Sequence, residues 1–305
     1  MEYLMTYGWA ILIIAVVLGA LFSLGVFNSA NFAPKAPPGA CQVFRPNGPG
    51  STSFINLEGV CSGELPQYVA YVNQSISYIR SNTGSIDSVF NGGSWTITSW
   101  INEMLPILNG GYWQLIVEAT GCPGSGLVDG SISTTTYGVD AVEGNEASVT
   151  CSPDGASDTT PIITVPINTW IMAVSVFHYN PNGASWVAIC VNSICTNQSW
   201  TEGTPADYTQ YQPEVGFVPG GCCGGNTRFW TGQIANVQIY NTSLSGPEVN
   251  ALYLEGIGGA PIDLQNLVGW WPLNGNANDY SGNGNNGVPN NVMFTSSWTS
   301  GYTAP

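Results

Sequence analysis

One uninterrupted apolar run opens the chain; beyond it the apolar residues come in short alternating bursts. The run is YGWAILIIAVVLGALFSLGVF, Tyr7 to Phe27, and it holds no charged residue. At ~1.5 Å per residue, a helix of that length spans roughly the 30 Å hydrocarbon core of a bilayer. The run is apolar on every side, and its apolar stretch exceeds that of a cleaved signal peptide. A Pro-rich segment follows it. The pattern therefore predicts a membrane helix over residues 1–30. No Lys or Arg precedes the run, so flanking charge does not orient it.

Residues 31–65 read as a Pro/Gly-rich linker, most clearly in FAPKAPPGACQVFRPNGPG from Phe32 to Gly50. Short β-branched and aromatic segments follow, separated by Gly, Asn, Pro and Ser. SWTITSWI (Ser94 to Ile101), IITV (Ile162 to Val165), MAVSVF (Met172 to Phe177), WVAICV (Trp186 to Val191) and QIANVQIY (Gln233 to Tyr240) each predict a strand. Such strands, punctuated by turns, predict a mainly β jelly-roll sandwich over 66–305. One helix interrupts them. SGPEVNALYLEGIGG places Ser245 as N-cap, Pro247 in the first turn, Glu248 to close a capping box and Gly256 as the stop. Val249, Leu252 and Tyr253 share one face of that helix.

Charge narrows the functional classes. Four Lys+Arg stand against nineteen Asp+Glu, a net charge of −15 with 8% charged residues, which excludes a nucleic-acid binder. With 44% hydrophobic and 11% aromatic residues the chain is not disordered. Its Gly, Asn, Ser and Thr suit an exported β protein with a sugar-compatible surface.

Cysteine usage agrees with export. The eight cysteines are Cys41, Cys61, Cys122, Cys151, Cys190, Cys195, Cys222 and Cys223, without zinc-ligand spacing, and His178 is the single histidine. They read as disulfides of an oxidising compartment. Sequons at Asn73, Asn197 and Asn241 point the same way. In CVNSIC, a turn at Asn192-Ser193 sets Cys190 opposite Cys195 at ~4.5 Å between Cα atoms, within disulfide range. Proximity in sequence next pairs Cys41 with Cys61 and Cys122 with Cys151. Cys222 and Cys223 then form a vicinal bridge or rearrange the other pairs. The combined topology is N-terminus inside and the bulk outside, a single-pass cell-membrane protein.

MEYLMTYGWAILIIAVVLGAL resembles the N-terminus of archaeal type IV pilin-like proteins with a class III signal peptide. The resemblance implies assembly into homo-oligomers through this helix, with Glu2 meeting the N-terminal amine of a neighbouring subunit. The alternative is a solvated Glu2 favoured by the helix dipole. The basic leader and Gln of that family are absent here, so processing stays open.

The body resembles the laminin-G-like, concanavalin-A-like jelly-roll family. YVAYVNQSISYI (Tyr68 to Ile79), WTITSWI, INTWIMAVSVF and GQIANVQIYNTSLSGPEVNALY carry the likeness, with Ala235 where the family commonly has Asp. The resemblance implies a lectin-like, carbohydrate-binding function in adhesion or recognition. The alternative is a structural pilin-like or stalk subunit that binds no sugar. An enzyme is not expected. Carboxylate pairs roughly 5–9 Å apart serve glycosidases, but Glu143 and Glu146 of EGNE lie in a loop, and Glu248 and Glu255 lie on the helix.

Sugar sites use aromatic faces and amide or carboxylate hydrogen bonds. Trp100, Trp170 and Trp271 fall on strands and are expected in the core. Trp113, Trp186, Trp200 and Trp230 lie nearer turns and are the platform candidates. DYSGNGNN offers calcium the oxygens of Asp279, Asn283 and Asn285, with Asn236 from the closing strand. An Asx-rich turn tied by its own hydrogen bonds is the equal alternative.

The segment LVGWWPLNGNANDYSGNGNNG (Leu267 to Gly287) has the character of a domain's first strand and loop, yet it follows the helix that ends the resemblance. The 39 residues from Leu267 to Pro305 are too few for a second sandwich core. The expectation is a circular permutation in which 266–305 supplies the first strand, beside the Tyr68 segment. The rival is donation of that strand to a neighbouring subunit.

Overall fold

The computed structural model describes residues 65–73, 77–81, 93–104, 163, 165–200, 214–218 and 231–305. It also describes the strand segments 40–44, 53–56, 114–118, 131–135, 138–143, 158–159 and 228–229. The chain divides into two units, Met1–Pro37 and Pro38–Pro305. Of the first, only Ile14 and Val17 are described, both helical. Glu2 and the rest of the apolar run lie outside the described residues, among which no helix is long and apolar enough to cross a membrane.

The second unit begins within the expected linker. There β1 (Ala40–Phe44) pairs antiparallel with β2 (Ser53–Asn56) and parallel with β3 (Leu65–Pro66). This corrects the linker reading for those segments. The apolar alternation of CQVF and SFIN, overshadowed by neighbouring Pro and Gly, is enough to form a ladder.

Strands then follow in the order β4 (Val69–Val72), β5 (Tyr78–Ser81), β6 (Trp95–Glu103), β7 (Gln114–Glu118), β8 (Ser131–Thr135), β9 (Gly138–Glu143) and β10 (Asp158–Thr159). After them come β11 (Trp170–His178), β12 (Ser185–Val191), β13 (Ile194–Trp200), β14 (Glu214–Val215), β15 (Phe217–Val218), β16 (Arg228–Phe229) and β17 (Gly232–Tyr240). Helix α1 (Gly246–Glu255) precedes β18 (Leu267–Trp271), β19 (Gly287–Asn290) and β20 (Met293–Thr295). Among the described residues two large antiparallel sheets form a jelly-roll sandwich. One runs β10-β9-β8-β7-β14-β5-β19, the other β13-β12-β11-β6-β17-β4-β20 with β18 also on β17. Of the expected strand Ile162–Val165, only Ile163 and Val165 are described. No strand is assigned to them, and they pack half-buried against the core.

Period-two alternation gives the second of these sheets two apolar faces. Ile97 and Ile101 of β6, Ile171 and Phe177 of β11 and Val187 and Ile189 of β12 fill the space between the sheets. Trp100, Trp170, Met172 and Val174 lie on the opposite face, beneath α1. The helix starts where the sequence placed it. The Glu248 carboxylate accepts from the Ser245 backbone N–H at 2.7 Å, and Gly256 ends the helix at φ 80°. Val249 and Leu252 are buried, and Tyr253 stacks on Trp100 at 5.9 Å between ring centroids. Thr96 Oγ1 anchors the approach, accepting from Leu244 N–H and donating to the Thr242 carbonyl.

The C-terminal segment is woven into both sheets. β18 pairs with β17 from Val237 to Tyr240, and β4 pairs with the same side of β17 from Gly232 to Ile234. The two strands therefore lie end to end, not side by side as the sequence suggested. Tyr68 N–H, at the junction, donates to Asn274 Oδ1 at 2.9 Å. Beside the Tyr68–Ile79 segment lie β20, paired with β4, and β19, paired with β5.

The two tryptophans of β18 separate to opposite faces. Trp271 enters the inter-sheet core and Trp270 packs on the helix side. Gly269 makes room for this, since a Cβ there would overlap the Trp271 ring. Both indole N–H groups are satisfied, by the Asn285 carbonyl and by Asn236 Oδ1. Further along, Trp298 meets Trp170 edge to face at 6.0 Å, and its carbonyl accepts from the Trp170 indole at 2.7 Å.

Deleting residues 266–305 removes Leu267, Trp271, Leu273 and Trp298 from the core, and unpairs one side of β4 and β5 and the Val237–Tyr240 stretch of β17. Light scattering should show an aggregating product. In the full chain, Trp298→Ala should lose about 3–5 kcal/mol in urea unfolding. A monomeric truncated domain of unchanged melting temperature would show that the tail is an appendage.

Candidate functional site

The aromatic candidates separate on inspection. Trp113 and Trp230 lie outside the described residues. Trp200 ends β13 opposite Ser185, with its side chain outside the described residues. Trp100, Trp170 and Trp271 are buried, as the strand pattern requires. Trp186 is half-buried at the margin of its sheet.

The Trp186 margin is built by register. His178, Trp186 and Ser199 are directly opposed across β11, β12 and β13 and so share a face. The His178 imidazole stacks on the Trp186 indole at 5.3 Å and 21°. Its Nδ1 lies 3.0 Å from Ser243 Oγ, which fixes the ring. Along β13, Asn197 and Ser199 are exposed on this face, while Gln198, opposite Val187, belongs to the other. The neighbouring loop is held by its own bonds, with Ser185 Oγ accepting from Asn180 N–H and Asn180 Oδ1 from Asn182 N–H. The result is a fixed aromatic surface bordered by hydroxyl and amide groups, chemistry that can stack on an apolar sugar face and exchange hydrogen bonds with its hydroxyls.

The hairpin carrying this margin is closed by Cys190–Cys195, whose Cα atoms are 3.9 Å apart at opposed positions of β12 and β13. Asn192 takes the left-handed φ of 60° that the turn demands and accepts Met172 N–H on its side chain. The side chain of Cys41 and the whole of Cys61, Cys122, Cys151, Cys222 and Cys223 lie outside the described residues.

The four residues offered for calcium do not converge on one space. Asp279 Oδ1 accepts from the N–H groups of Trp270 and Ser281, and Oδ2 from Ser281 Oγ and Asn285 N–H, all at 2.8–2.9 Å. A carboxylate has about four acceptor positions, so this one is saturated by donors. Asn283 and Asn285 give their amide N–H groups to the carbonyls of Leu267 and Val268. Asn236 stands beyond Trp270, its oxygen accepting from Trp270 Nε1 and Gln238 Nε2 while its amide donates to the Gly259 carbonyl. A calcium shell needs oxygens facing inward; the Asp279 and Asn236 oxygens face N–H and O–H donors. The residues do not fit calcium, and the Asx-rich turn accounts for them. Among the described residues no group of three or more His, Cys, Asp or Glu is placed to hold a metal. Accordingly, Asp279→Ala should lower the melting temperature equally in calcium and in EDTA, with a cost of about 1–3 kcal/mol for the stranded donors. A loss confined to calcium-containing buffer would restore the ion.

Two acidic positions escaped the sequence reading. Glu214 of β14 ion-pairs with Arg80 of β5. Glu103 ends β6 at 7% exposure, opposite Gly232, and burial pushes its carboxyl up to about 7. WTITSWINE contained the one signal for Glu103: a carboxylate continuing the alternation of a buried strand. Because the folded state holds this proton more tightly than the unfolded chain, stability is fully present below pH 4.5. It falls as pH rises toward about 7 and then levels. Melting curves should decline across that window in the native chain, and Glu103→Gln should flatten them and melt higher at pH 8. A parallel decline in the variant would assign the effect elsewhere.

No protein-family model and no curated protein sequence matches the chain. Among solved structures it is similar to a candidate carbohydrate-binding protein from Bacteroides ovatus, with TM-score 0.53 and 13% identity over 80% of this chain. The chain spans 63% of that protein's length. A heptameric SAP-like pentraxin from Limulus polyphemus is similar at TM-score 0.47 and 12% identity, covering 74% of this chain and 94% of the pentraxin. A botulinum neurotoxin type G receptor-binding domain follows at 0.42 and 11%, covering 60% and 41%. At 13% identity what the chain shares with the first of these is the fold alone, a jelly-roll β-sandwich.

Proposed function

We propose that this is a non-enzymatic carbohydrate-recognition protein of the cell surface, carried by an N-terminal membrane helix with the jelly roll outside. The observation that carries the reading is the Trp186 margin: an indole held flat by His178 and bordered by the exposed amide and hydroxyl row of β13. The jelly-roll fold shared with a candidate carbohydrate-binding protein supports it. The apolar run from Tyr7 to Phe27 supports the anchor, and the pilin-like EYL start supports assembly of copies through that helix. The chain order, with a first-strand-like segment placed last, is read as a circular permutation closing within one chain. The ten-residue connector from Gly256 to Gln265 keeps the strand's effective concentration high.

The test is saturable binding of the full chain, in detergent micelles, to an array of neutral oligosaccharides. Trp186→Ala should weaken binding by about tenfold, the loss of one stacking platform, in a domain that still unfolds cooperatively at a lowered melting temperature. An absence of saturable binding to any sugar would leave the structural stalk reading in its place.

A further inference from the structure

Three Asn-x-Ser/Thr sequons lie in the chain, and the fold treats them differently. Asn73 is half-buried, and its side-chain oxygen accepts from Ser77 Oγ. Asn241 is exposed, but its backbone N–H is held by the Asn266 carbonyl, and the sequon hydroxyl of Ser243 is held by His178 Nδ1. Between them, the Thr242 carbonyl accepts from Thr96 Oγ1. Asn197 differs. It and the sequon hydroxyl of Ser199 are both exposed, on β13, the last strand of its sheet among the described residues.

Register sets what surrounds this sequon. Alternate residues of β13 share a face, so Asn197 and Ser199 stand together with Cys195. Ser199 is directly opposite Trp186, and Asn197 is opposite Ala188, the next residue along that face. The diagonal from Asn197 to Trp186 is therefore ~7–8 Å, within reach of a long side group. Ala188 puts little bulk beside that path. The Cys190–Cys195 bridge, one pair further along the same face, fixes the register and so the face on which Asn197 stands. His178 stacks on the indole from β11, and the opposed position on β13 carries only the small Ser199.

We propose that Asn197 is N-glycosylated and that the first sugar of its glycan rests on the Trp186 indole. In the transfer, Asn197 Nδ2 bonds to the anomeric carbon of a polyprenyl-phosphate-linked oligosaccharide. The anomeric C–O bond breaks, the lipid phosphate leaves with the electron pair, and the amide gives up one proton. Ser199 is the hydroxyl two residues on that marks the acceptor. The pyranose turns an apolar face to the indole and its hydroxyls toward Ser199. A glycan at this strand also shields the sheet edge from pairing with another chain. The inference rests on the recognition reading in taking Trp186 as a sugar platform, and it adds the chain's own glycan as the resident occupant. Free sugar then reaches the margin only on unmodified copies.

The full chain, expressed in its own host and extracted in detergent micelles, is mapped as glycopeptides. A glycan at Asn197, absent from Asn197→Gln and from Ser199→Ala, is the expected result; an unmodified Asn197 overturns the proposal. Stacking is read by a double-mutant cycle in melting temperature. Asn197→Gln should cost the native chain about 2–4 °C and cost the Trp186→Ala variant nothing. Equal losses in the two backgrounds would mean a glycan directed into solvent and overturn the stack. Should Trp186→Ala fail to fold, Trp186→Leu fills the position without an aromatic face. Asn197→Gln and the glycosylated chain are then compared on the neutral oligosaccharide array. Binding about tenfold weaker in the glycosylated chain, as when about nine-tenths of the platforms are filled, supports occupancy, and equal binding overturns it. An array bound by neither form removes the recognition reading, and the Asn197 glycan and its stack are decided by mapping and melting alone.

Discussion

One side of β17 is the seam on which the described structure depends. Strands from opposite ends of the sequence, β18 and β4, pair along it end to end, and neither reaches the other. Where they meet, β17 shifts its register against β6 between Ala235 and Gln238, and Asn236 takes a left-handed φ of 50°. A gap in a buried ladder leaves backbone groups that must find partners. Asn236 N–H goes to the Pro272 carbonyl, and its side chain reaches Trp270, Gln238 and Gly259. Gln238 in turn accepts from the Tyr240 hydroxyl. One asparagine thus joins the sheet, the Trp270 face of β18 and the turn after α1. Its position explains why an amide stands here: it both donates and accepts, and Asn tolerates the left-handed backbone.

The seam also decides which surfaces are available. With β18 fixed on β17, the chain beyond it delivers Trp298 onto Trp170, and Tyr302 onto both Trp100 and Trp298. This aromatic cluster and α1 together cover the middle of the Trp100 face. An aromatic platform on that side is therefore confined to its margin, where Trp186 is half-buried. The same packing removes Trp100, Trp170 and Trp271 from consideration as platforms.

Patterns that depend on local physics were legible in the sequence. The alternating runs of β6, β11, β12 and β17 fall where their β-branched and aromatic residues placed them, because both faces of that sheet are apolar. The Ser245–Glu248 cap and the Asn192-Ser193 turn are likewise local rules. Pairing between distant segments was not legible. GPGST-flanked SFIN looked like linker, since its partner Ala40–Phe44 lay in a Pro-rich stretch. Glu118 and Glu214 sit in short strands with weak alternation, and only the folded register puts them opposite each other. For the Asp279 loop the sequence left calcium and a self-bonded turn as equal alternatives, because the direction of its hydrogen bonds, donors pointing at the carboxylate, is set only in the fold.

That direction separates the carboxylates of this protein by role. Asp279 accepts four hydrogen bonds from its own loop and from β18, so its charge is balanced by fixed dipoles, and a ligand could only compete with bonds already made. Glu103 has reached the opposite solution, a carboxyl buried deeply enough to hold its proton to about 7. Glu214 has reached neither: Arg80 favours its charge, burial opposes it, and one oxygen has no donor. A saturated carboxylate is part of the scaffold, and a protonated one avoids the cost of burial. A half-satisfied one remains a cost to the fold, because a buried acceptor without a donor has given up water and gained no partner in exchange.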